Sequence, residues 1–512
     1  MKMIKFMAKL LSQKIPKKGA SSNKQTDQDI DLKDKRIQKN YEANLTVLKQ
    51  IYNVPTNVDV KFRDIHLKGS NKKACLIFIA SITDTKTIEM HVLHPLLTHS
   101  FQDTKVDEII SAQNIQSVNT IRDILTDLNK GNAVLLIEGE NTGYTVECSN
   151  VQSRSVDKAE DEVILKGPKE AFNEKAVTNI SLIRKKIKNE SLMVESAIVS
   201  KRSNNEVFLL YVKDLANEQL VSRVKKRLKH IDSDAIQNLG LLEQNIEDRK
   251  KSLFPTLLYT ERPDRAASFL EDGYIVLLMD NSPASLIMPA TFWSFFHNPE
   301  EHYLRFPYGN FTRLLRILAV FITLFTSATY VAITNFHSEM VPADLLLAIA
   351  STREKVPFPV LIEILIMELA FELIREAGLR VPSPIGPTIG IVGALILGQA
   401  AVEANIISPI IIIVVALGGL SSFAVSDISL NYTVRIARFL FIIGAGLLGI
   451  FGMTAVFVLG LIYMTSLESF GVPYLAPMTP RYTSSDDTIF RRLLQNERYR
   501  PGYVQPDDIK KR

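Results

Sequence analysis

Cysteine is scarce in this sequence, with only Cys75 and Cys148 among 512 residues. Two cysteines cannot build a disulfide framework, and their spacing matches no metal-binding motif, so both thiols are expected to be reduced in the cytoplasm. The sequence also lacks a nucleophile elbow, a phosphate-binding loop and a zinc-protease motif. We therefore expect a protein that is not an enzyme and that holds no metal and no cofactor.

The chain has little excess charge, +5 overall, which gives no reason to expect nucleic acid as a partner. Basic residues collect at the ends: residues 1–40 hold 11 Lys or Arg against 4 Asp, and residues 471–512 hold 8 basic against 5 acidic residues. The opening run MKMIKFMAKLLSQKIPKK has lysines inside its apolar part and no cleavage site, unlike a signal peptide. Residues 1–40 are predicted to be a disordered basic arm, either solvated or leaning on anionic lipid, and residues 471–512 a basic cytoplasmic tail.

Residues 41–150 and 151–300 have the patterns of two small, soluble α/β subdomains. Alternating or short apolar runs predict half-buried or buried strands, and apolar residues at helical spacing predict amphipathic helices. Strands are expected at 58–67, 74–82, 194–200, 206–212 and 273–280, and helices at 118–131 and 217–231. A polar linker at 149–161 is expected to separate the subdomains, and the strand at 273–280 to end the second one.

Long uncharged runs set the C-terminal part apart, above all the 29 residues 439–467. A bilayer core needs about 20 apolar helical residues, so residues 301–470 are predicted to be transmembrane helices. Four spans are expected, at about 314–336, 385–403, 406–426 and 436–465. The predicted fold class is thus an α/β soluble N-terminal region followed by an α-helical multi-pass transmembrane domain.

Topology leaves two alternatives open. Basic residues at both ends of the chain favour cytoplasmic termini and hence an even number of crossings. The segment 360–380 would then be re-entrant or lie in the interface, which leaves Arg375, Arg380, Arg435 and Arg438 outside. If that segment spans instead, those arginines move inside but the basic tail moves out.

The segment VLIEILIMELAFELIREAGLR, residues 360–380, places four glutamates in an apolar setting: Glu363, Glu368, Glu372 and Glu376. An ionised carboxylate in hydrocarbon is costly and needs a partner or water. One interpretation pairs these acids with nearby cations, namely Arg353, Lys355, Arg375 and Arg380. The other makes them a polar wall that attracts cations, and the same alternatives stay open for Gln399 and Glu403 as pore or gating residues.

Small residues form two further patterns. Gly386, Gly390, Ala394 and Gly398 recur every four residues, which gives one helix a flat seam for a neighbouring helix or a narrow pore. GAGLLG, from Gly444 to Gly449, has the letters of a dinucleotide fingerprint but lies in an apolar run rather than after a strand. We interpret Gly444 and Gly449 as helix-packing residues.

The stretch EKVPFPVLIEILIMELAFELIREAGLRVPSPIGPTIGIVGALILGQAAVEANIISPIIIIVVALGGLSSF, residues 354–423, resembles the signature of the GerA family. The members of this family are A subunits of the nutrient germinant receptors of bacterial endospores. The similarity continues at 166–188, 254–265, 273–289 and 469–477.

The resemblance implies a place in the inner membrane of the spore, in contact with lipids, with the soluble region on the cytoplasmic side. It also implies a complex with a transporter-like B subunit, to which the nutrient pocket is attributed, and a lipoprotein C subunit. A subunits of this kind are thought to form a homo-oligomeric, nutrient-gated cation channel. The alternative is a non-conducting scaffold that transmits the signal from the B subunit to another channel.

Overall fold

The computed structural model describes residues 32–70, 72–99, 106–112, 114–149, 159, 162, 164–380, 398–484 and 487–511. The chain forms two compact units, residues 1–150 and 151–512. Residues 1–31 of the predicted arm and most of the predicted linker at 149–161 lie outside the described residues. The same holds for Gly386 and Gly390 of the glycine seam.

Unit 1 has a five-stranded antiparallel sheet between two helical layers. Its elements are α1 Tyr41–Ile51, β1 Val60–His66, β2 Lys73–Ile79, a helical segment from Thr85–Thr87 through the π-turns of Ile88–Leu93 to His94–Thr98, β3 Ile115–Val118, α2 Ile121–Asn129, β4 Ala133–Ile137 and β5 Gly143–Val146. The strand order is β1-β2-β4-β5-β3. Asn40 is the N-cap residue of α1: its side chain accepts a hydrogen bond from the Ala43 amide. Such caps stabilise the start of a helix.

Successive residues of β2 enter opposite cores. Cys75 and Ile77 pack with α1 and α2, whereas Ala74 and Leu76 pack with the helical segment at 85–98. Strands covered on both faces need apolar residues throughout, which explains why 74–82 is a continuous apolar run. Both cysteines are buried and free, as expected from their number.

Unit 2 begins with a second sheet of the same topology. Its elements are α3 Ala176–Lys186, β6 Leu192–Ile198, β7 Glu206–Val212, α4 Glu218–Lys229, α5 Leu239–Ile246, β8 Leu258–Thr260, α6 Pro263–Glu271, β9 Ile275–Met279 and β10 Ser285–Met288. The strand order β6-β7-β9-β10-β8 repeats that of unit 1, position by position. The expected two α/β subdomains are therefore confirmed, and they are structural repeats. The sheet does not end at 273–280: β10 pairs with both β9 and β8.

The rest of unit 2 is mainly a bundle of apolar helices. They are α7 Phe306–Phe336, α8 Ala343–Arg353, α9 Val360–Arg380, α10 Pro409–Ser422 and α11 Ile428–Thr465, with a short helix at 398–403. Among the described residues, α7 and α11 are the two helices long and apolar enough to cross a membrane by length and composition. Large apolar side chains also cover the outside of the bundle, such as Leu447, which is 68% exposed, and Phe451, which is 76% exposed.

Helix α11 is bent sharply in its middle. As a straight helix its 38 residues would extend about 57 Å. Leu448 and Gly449 leave the helical conformation, and Gly449 has a φ of 60° and a ψ of −139°. Only glycine adopts such a conformation without strain, so the bend is encoded at this position.

Beyond the bend the chain folds back on itself. A Cβ atom on Gly444 would lie 2.8 Å from Val456 Cγ2, and one on Gly452 would collide with the Gly444 carbonyl. In a straight helix Gly444 and Gly452 would be about 12 Å apart. We therefore treat α11 as a hairpin with a first arm, residues 428–447, and a second arm, residues 450–465. The prediction of one continuous span over 436–465 is wrong.

Contacts fix the direction of the helices. The start of α7 lies against Glu301, and its end at Phe336 lies against Gly449, the tip of the hairpin. We call the first end of the bundle proximal and the second distal. Both arms meet the α/β part at the proximal end, because Thr433 donates to the Leu253 carbonyl at 2.6 Å and Arg249 donates to the Ser466 hydroxyl at 2.9 Å.

Helices α9 and α10 run from the distal to the proximal end. Near its start, α9 places Leu361 against Gly446, close to the hairpin tip, and further along it places Phe371 against Gly419 of α10. The glutamates thus belong to a continuous 21-residue helix packed along its neighbours.

The chain after α11 is folded onto the second sheet rather than extended. Phe470 and Tyr474 are buried, and the Phe470 amide donates to Asp248 Oδ2 at 2.9 Å. Arg223 of α4 donates to the Phe470 carbonyl at 2.7 Å. Further on, the hydroxyls of Tyr503 and Tyr274 are hydrogen-bonded at 2.7 Å. The end of the second arm is thus clamped to the α/β part.

Gly471 is the sensitive position of this clamp. Its φ is +81°, and a Cβ there would collide with the Arg223 guanidinium. Gly471→Ala is expected to cost about 1–3 kcal/mol of strain, together with the Arg223 hydrogen bond, and to release the C-terminal segment to proteolysis. Gly139→Ala is the matched control, because Gly139 has a φ of +83° with nothing within 4 Å of a Cβ. Equal proteolysis of both variants and the wild type would contradict the clamp.

Candidate functional site: an ion-pair network inside the bundle

The glutamates of α9 face cations from other helices. Glu368 and Arg438 of the first arm are both fully buried, and Arg438 Nη2 lies 2.9 Å from Glu368 Oε2. The same Nη2 donates to Glu372 Oε1 at 2.8 Å, and Arg435 Nε donates to Glu372 Oε2 at 2.9 Å. Ser327 of α7 donates to Glu368 Oε1 at 2.6 Å. These five residues join three helices through one charged network.

Arg375 completes the network on the proximal side. It lies 3.8 Å from Glu372 and donates through Nη2 to the Gly419 carbonyl at 2.9 Å. Its guanidinium also stacks 4.4 Å from the Phe423 ring centroid and 5.1 Å from that of Phe371. Arg375 therefore ties α9 to α10 while α9 is tied to α11.

Glu363 has a separate environment near the distal end. It is fully buried, lies 3.2 Å from Arg353 Nη2 and accepts a hydrogen bond from the Ser408 amide at 3.1 Å. Ser408 is the N-cap residue of α10, so this carboxylate also faces the positive end of a helix dipole. Arg353 is one of the cations that the sequence offered as a partner.

The charge balance decides what the network can do. Glu368 and Glu372 face Arg375, Arg435 and Arg438, so each of the two carboxylates has an arginine partner. Arg438 Nε and Nη1 are buried and have no hydrogen-bond partner among the described residues. The network holds three helices together, because separating the helices would leave each buried charge without its partner.

Gln399 and Glu403 are arranged differently. Both are exposed on the short helix at 398–403, and Gln399 Nε2 donates to Glu403 Oε1 at 3.1 Å. Glu403 forms no ion pair within the described part of the chain. Gly398, on the same helix, places its missing Cβ 3.6 Å from Ile412 of α10. The helix thus packs inward through its glycine and presents its polar residues outward.

A second buried network lies where α7 begins. Arg313 is fully buried and pairs with Glu301, also fully buried, and with Asp487 of the C-terminal segment; Arg316 pairs with Glu301 as well. Burial lowers the pKa of the neighbouring His297 to about 4, so this imidazole is neutral at pH 7. This network connects the first helix of the bundle to the end of the chain.

Sequence reasoning missed Arg435 and Arg438 as partners of the glutamates. It searched near 360–380, whereas these arginines are more than 60 positions away and reach α9 only through the packing of the first arm. Their position just before the uncharged run 439–467 was the available signal, since an arginine at the edge of an apolar helix has to find an anion or water.

The fold and the network define a class: a two-part protein with α/β repeats followed by apolar helices joined by internal ion pairs. The family model described as Bacillus/Clostridium GerA spore germination protein matches residues 46–503. Spore germination protein KA of Bacillus subtilis (strain 168) is 36% identical over 464 residues, which cover 89% of this chain and 85% of that protein. Spore germination protein B1 of the same organism is 35% identical over 479 residues, 92% of this chain and 99% of that protein. This chain belongs to the GerA family of spore germination proteins.

One solved structure is also similar in sequence. It is the N-terminal domain of the A subunit of the Bacillus megaterium spore germinant receptor GerK3, at 27% identity. The match covers 51% of this chain and 98% of that chain, with a TM-score of 0.38.

Proposed function

We propose that this chain is the A subunit of a nutrient germinant receptor, anchored by its helical bundle in the inner membrane of the spore. Family membership supports the receptor role. The bundle supports the anchor, because large apolar side chains such as Leu447 and Phe451 are exposed on its outside, and contiguous exposed apolar surface marks a membrane or protein contact. Helix α7 is about 46 Å long and the first arm about 30 Å, enough for a hydrocarbon core of about 30 Å. The second arm is about 24 Å long, a few ångströms less than the core, a difference that local thinning of the bilayer accommodates.

The hairpin supports cytoplasmic placement of the α/β part. Helix α7 leaves from the proximal end and the second arm returns to it, which gives an even number of crossings. The basic C-terminal segment then lies on the proximal side with the α/β part, as the positive-inside rule favours. Arg435 and Arg438 lie within the first arm, at the depth of the membrane, where Glu368 and Glu372 pair with them.

We further propose that conduction, where this subunit takes part in it, runs between subunits rather than through one bundle. The observation that carries this proposal is the contrast between the acids. Glu363, Glu368 and Glu372 are neutralised inside the bundle, whereas Gln399 and Glu403 are exposed on an apolar exterior. A ring of such residues, one pair from each subunit of an oligomer, has the chemistry of a cation-selective constriction. A transporter-like B subunit and a lipoprotein C subunit are the proposed partners.

Glu403→Gln tests this assignment. It keeps the side-chain shape and deletes one charge per subunit, so cation flux through the full receptor in lipid vesicles is expected to fall severalfold while protein amount is unchanged. Asp344→Asn is the control, because Asp344 is also an exposed acid, on α8. Unchanged flux in Glu403→Gln would remove this residue from the pathway.

A scaffold is the second candidate function. The network that links α7, α9 and α11, and the clamp between the second arm and the α/β part, favour it, because both transmit movement without opening a path. Receptor that responds to nutrient in spores but conducts no cations in vesicles would support this candidate over the channel.

A further inference from the structure

An apolar cavity of about 340 Å³ lies at the proximal end of the bundle. Helix α7 and the two arms of α11 form its walls, and aromatic residues of the α/β part and the C-terminal segment form its floor. The lining residues include Trp293 of the α/β part, Val320 of α7, Phe441 of the first arm, Gly460 of the second arm and Leu475 of the C-terminal segment. The cavity is therefore built where the bundle, the second sheet and the end of the chain meet.

Water is a poor occupant of this cavity. A buried water needs two to four polar partners. The Thr433 hydroxyl already donates to the Leu253 carbonyl at 2.6 Å. Trp293 Nε1 is buried and offers no accessible donor to a water in the cavity. The lining is therefore mainly apolar and suits an apolar ligand better than water.

The size of the cavity also suits a chain-like ligand. Its 340 Å³ far exceed the roughly 10–15 Å³ that one water needs, so an apolar group of several carbons fits.

Charge near the cavity selects the kind of lipid. Arg249, Lys250 and Lys251 are exposed at the proximal end, and the Arg249 guanidinium lies 5.9 Å from the ring centroid of Tyr463, next to the lining residue Met464. With the bundle in a bilayer, this end lies at the head groups of the cytoplasmic leaflet. Basic residues there attract anionic lipids. Tryptophan is suited to this level of a membrane because its ring is apolar and its N–H group is polar.

We propose that this cavity binds an acyl chain of an anionic phospholipid from the cytoplasmic leaflet. The inference rests on the membrane location in the proposed function. A bound lipid would contact α7, both arms and the clamp at once, so its presence would stabilise the arrangement through which the α/β part and the bundle are joined.

Gly460→Leu is the decisive variant. Nothing lies within 4 Å of a Cβ built on Gly460, so leucine fills the cavity without a clash, and replacing a helix-interior glycine favours the second arm. The full chain, purified in detergent and delipidated, is incubated with phosphatidylglycerol or phosphatidylcholine and examined by native mass spectrometry. Wild type is expected to retain phosphatidylglycerol, and Gly460→Leu is expected to retain at least tenfold less of it.

Leu459→Phe is the control. Leu459 is 65% exposed, so the larger side chain adds bulk only to the outer surface, and this variant is expected to bind lipid as the wild type does. Equal retention by wild type and Gly460→Leu, or equal binding of the two lipids, overturns the proposal. The proposal is also overturned if the wild type needs detergent for extraction but retains no lipid. That result would leave the proposed function intact. A chain recovered in the soluble fraction without detergent overturns the proposed function itself.

Discussion

Arg438→Met is expected to reduce the amount of chain in the membrane fraction severely. The substitution leaves the carboxylate of Glu368 fully buried without its cation and removes one of the cations that face Glu372. Breaking a buried pair by removing one partner typically costs about 3–5 kcal/mol, a large part of the stability of a protein domain. The level in membranes and the melting temperature in detergent measure the effect.

A second substitution separates lost pairing from lost packing. Adding Glu368→Gln to Arg438→Met removes the stranded charge, so the double variant is expected to recover most of the membrane level. Arg481→Met is the matched control, because Arg481 is exposed and its loss should have no effect. A normal level of Arg438→Met alone, or no recovery in the double variant, would mean that the pair does not hold the bundle together.

The glutamates show how far sequence reasoning reached and where it stopped. The apolar setting of Glu363, Glu368 and Glu372 identified them as residues that need partners, and Arg353 was among the cations considered. Arg435 and Arg438 were not, because the pairing depends on which helices are adjacent. Adjacency in turn depends on how α9 packs against the first arm, which no local pattern of charge or hydropathy encodes.

The α/β part was more predictable, because a strand is defined by a local alternation or a short apolar run. Longer strands such as β2 and β7 were therefore expected near their observed positions. Strands β8 and β10 have three and four residues, too few for a period to be recognised, and β10 pairs only because β8 and β9 are brought to it. The packing of the C-terminal segment was missed for the same reason: Phe470 and Tyr503 are isolated aromatics whose hydrogen-bond partners lie more than 200 positions away.

The hairpin in α11 also shows what the amino-acid composition of a segment cannot predict. The 29 uncharged residues 439–467 satisfy the requirement for one long span, and the glycines of GAGLLG indicate close packing in general. What distinguishes a packing glycine from a turn glycine is the backbone conformation. Gly444 is helical and packs against the second arm, whereas Gly449 has the positive φ that makes the turn.

Gly449→Val is expected to disrupt the hairpin and with it the insertion of the second arm. The φ of 60° and ψ of −139° at Gly449 are unsuited to a β-branched residue, and a Cβ there would lie 2.9 Å from both His337 Nε2 and Phe336 Cβ. Strain alone costs on the order of 1–3 kcal/mol, and the collision with the end of α7 adds to it. The measurement is the membrane level of Gly449→Val beside that of Gly460→Leu, which changes a glycine of the second arm that has free space around it.

Single-cysteine labelling decides the topology on which this prediction depends. Ala424→Cys and Thr465→Cys are exposed positions at the proximal end, and Leu448→Cys, at a residue 63% exposed, is at the distal tip. A membrane-impermeant thiol reagent is expected to reach Ala424→Cys and Thr465→Cys from one side of oriented vesicles and Leu448→Cys from the other. The native thiols contribute little background because both are buried. Labelling of Ala424→Cys and Thr465→Cys from opposite sides would make α11 a single span, place the basic tail on the side opposite to the start of α11, and remove the reason for expecting Gly449→Val to be severe.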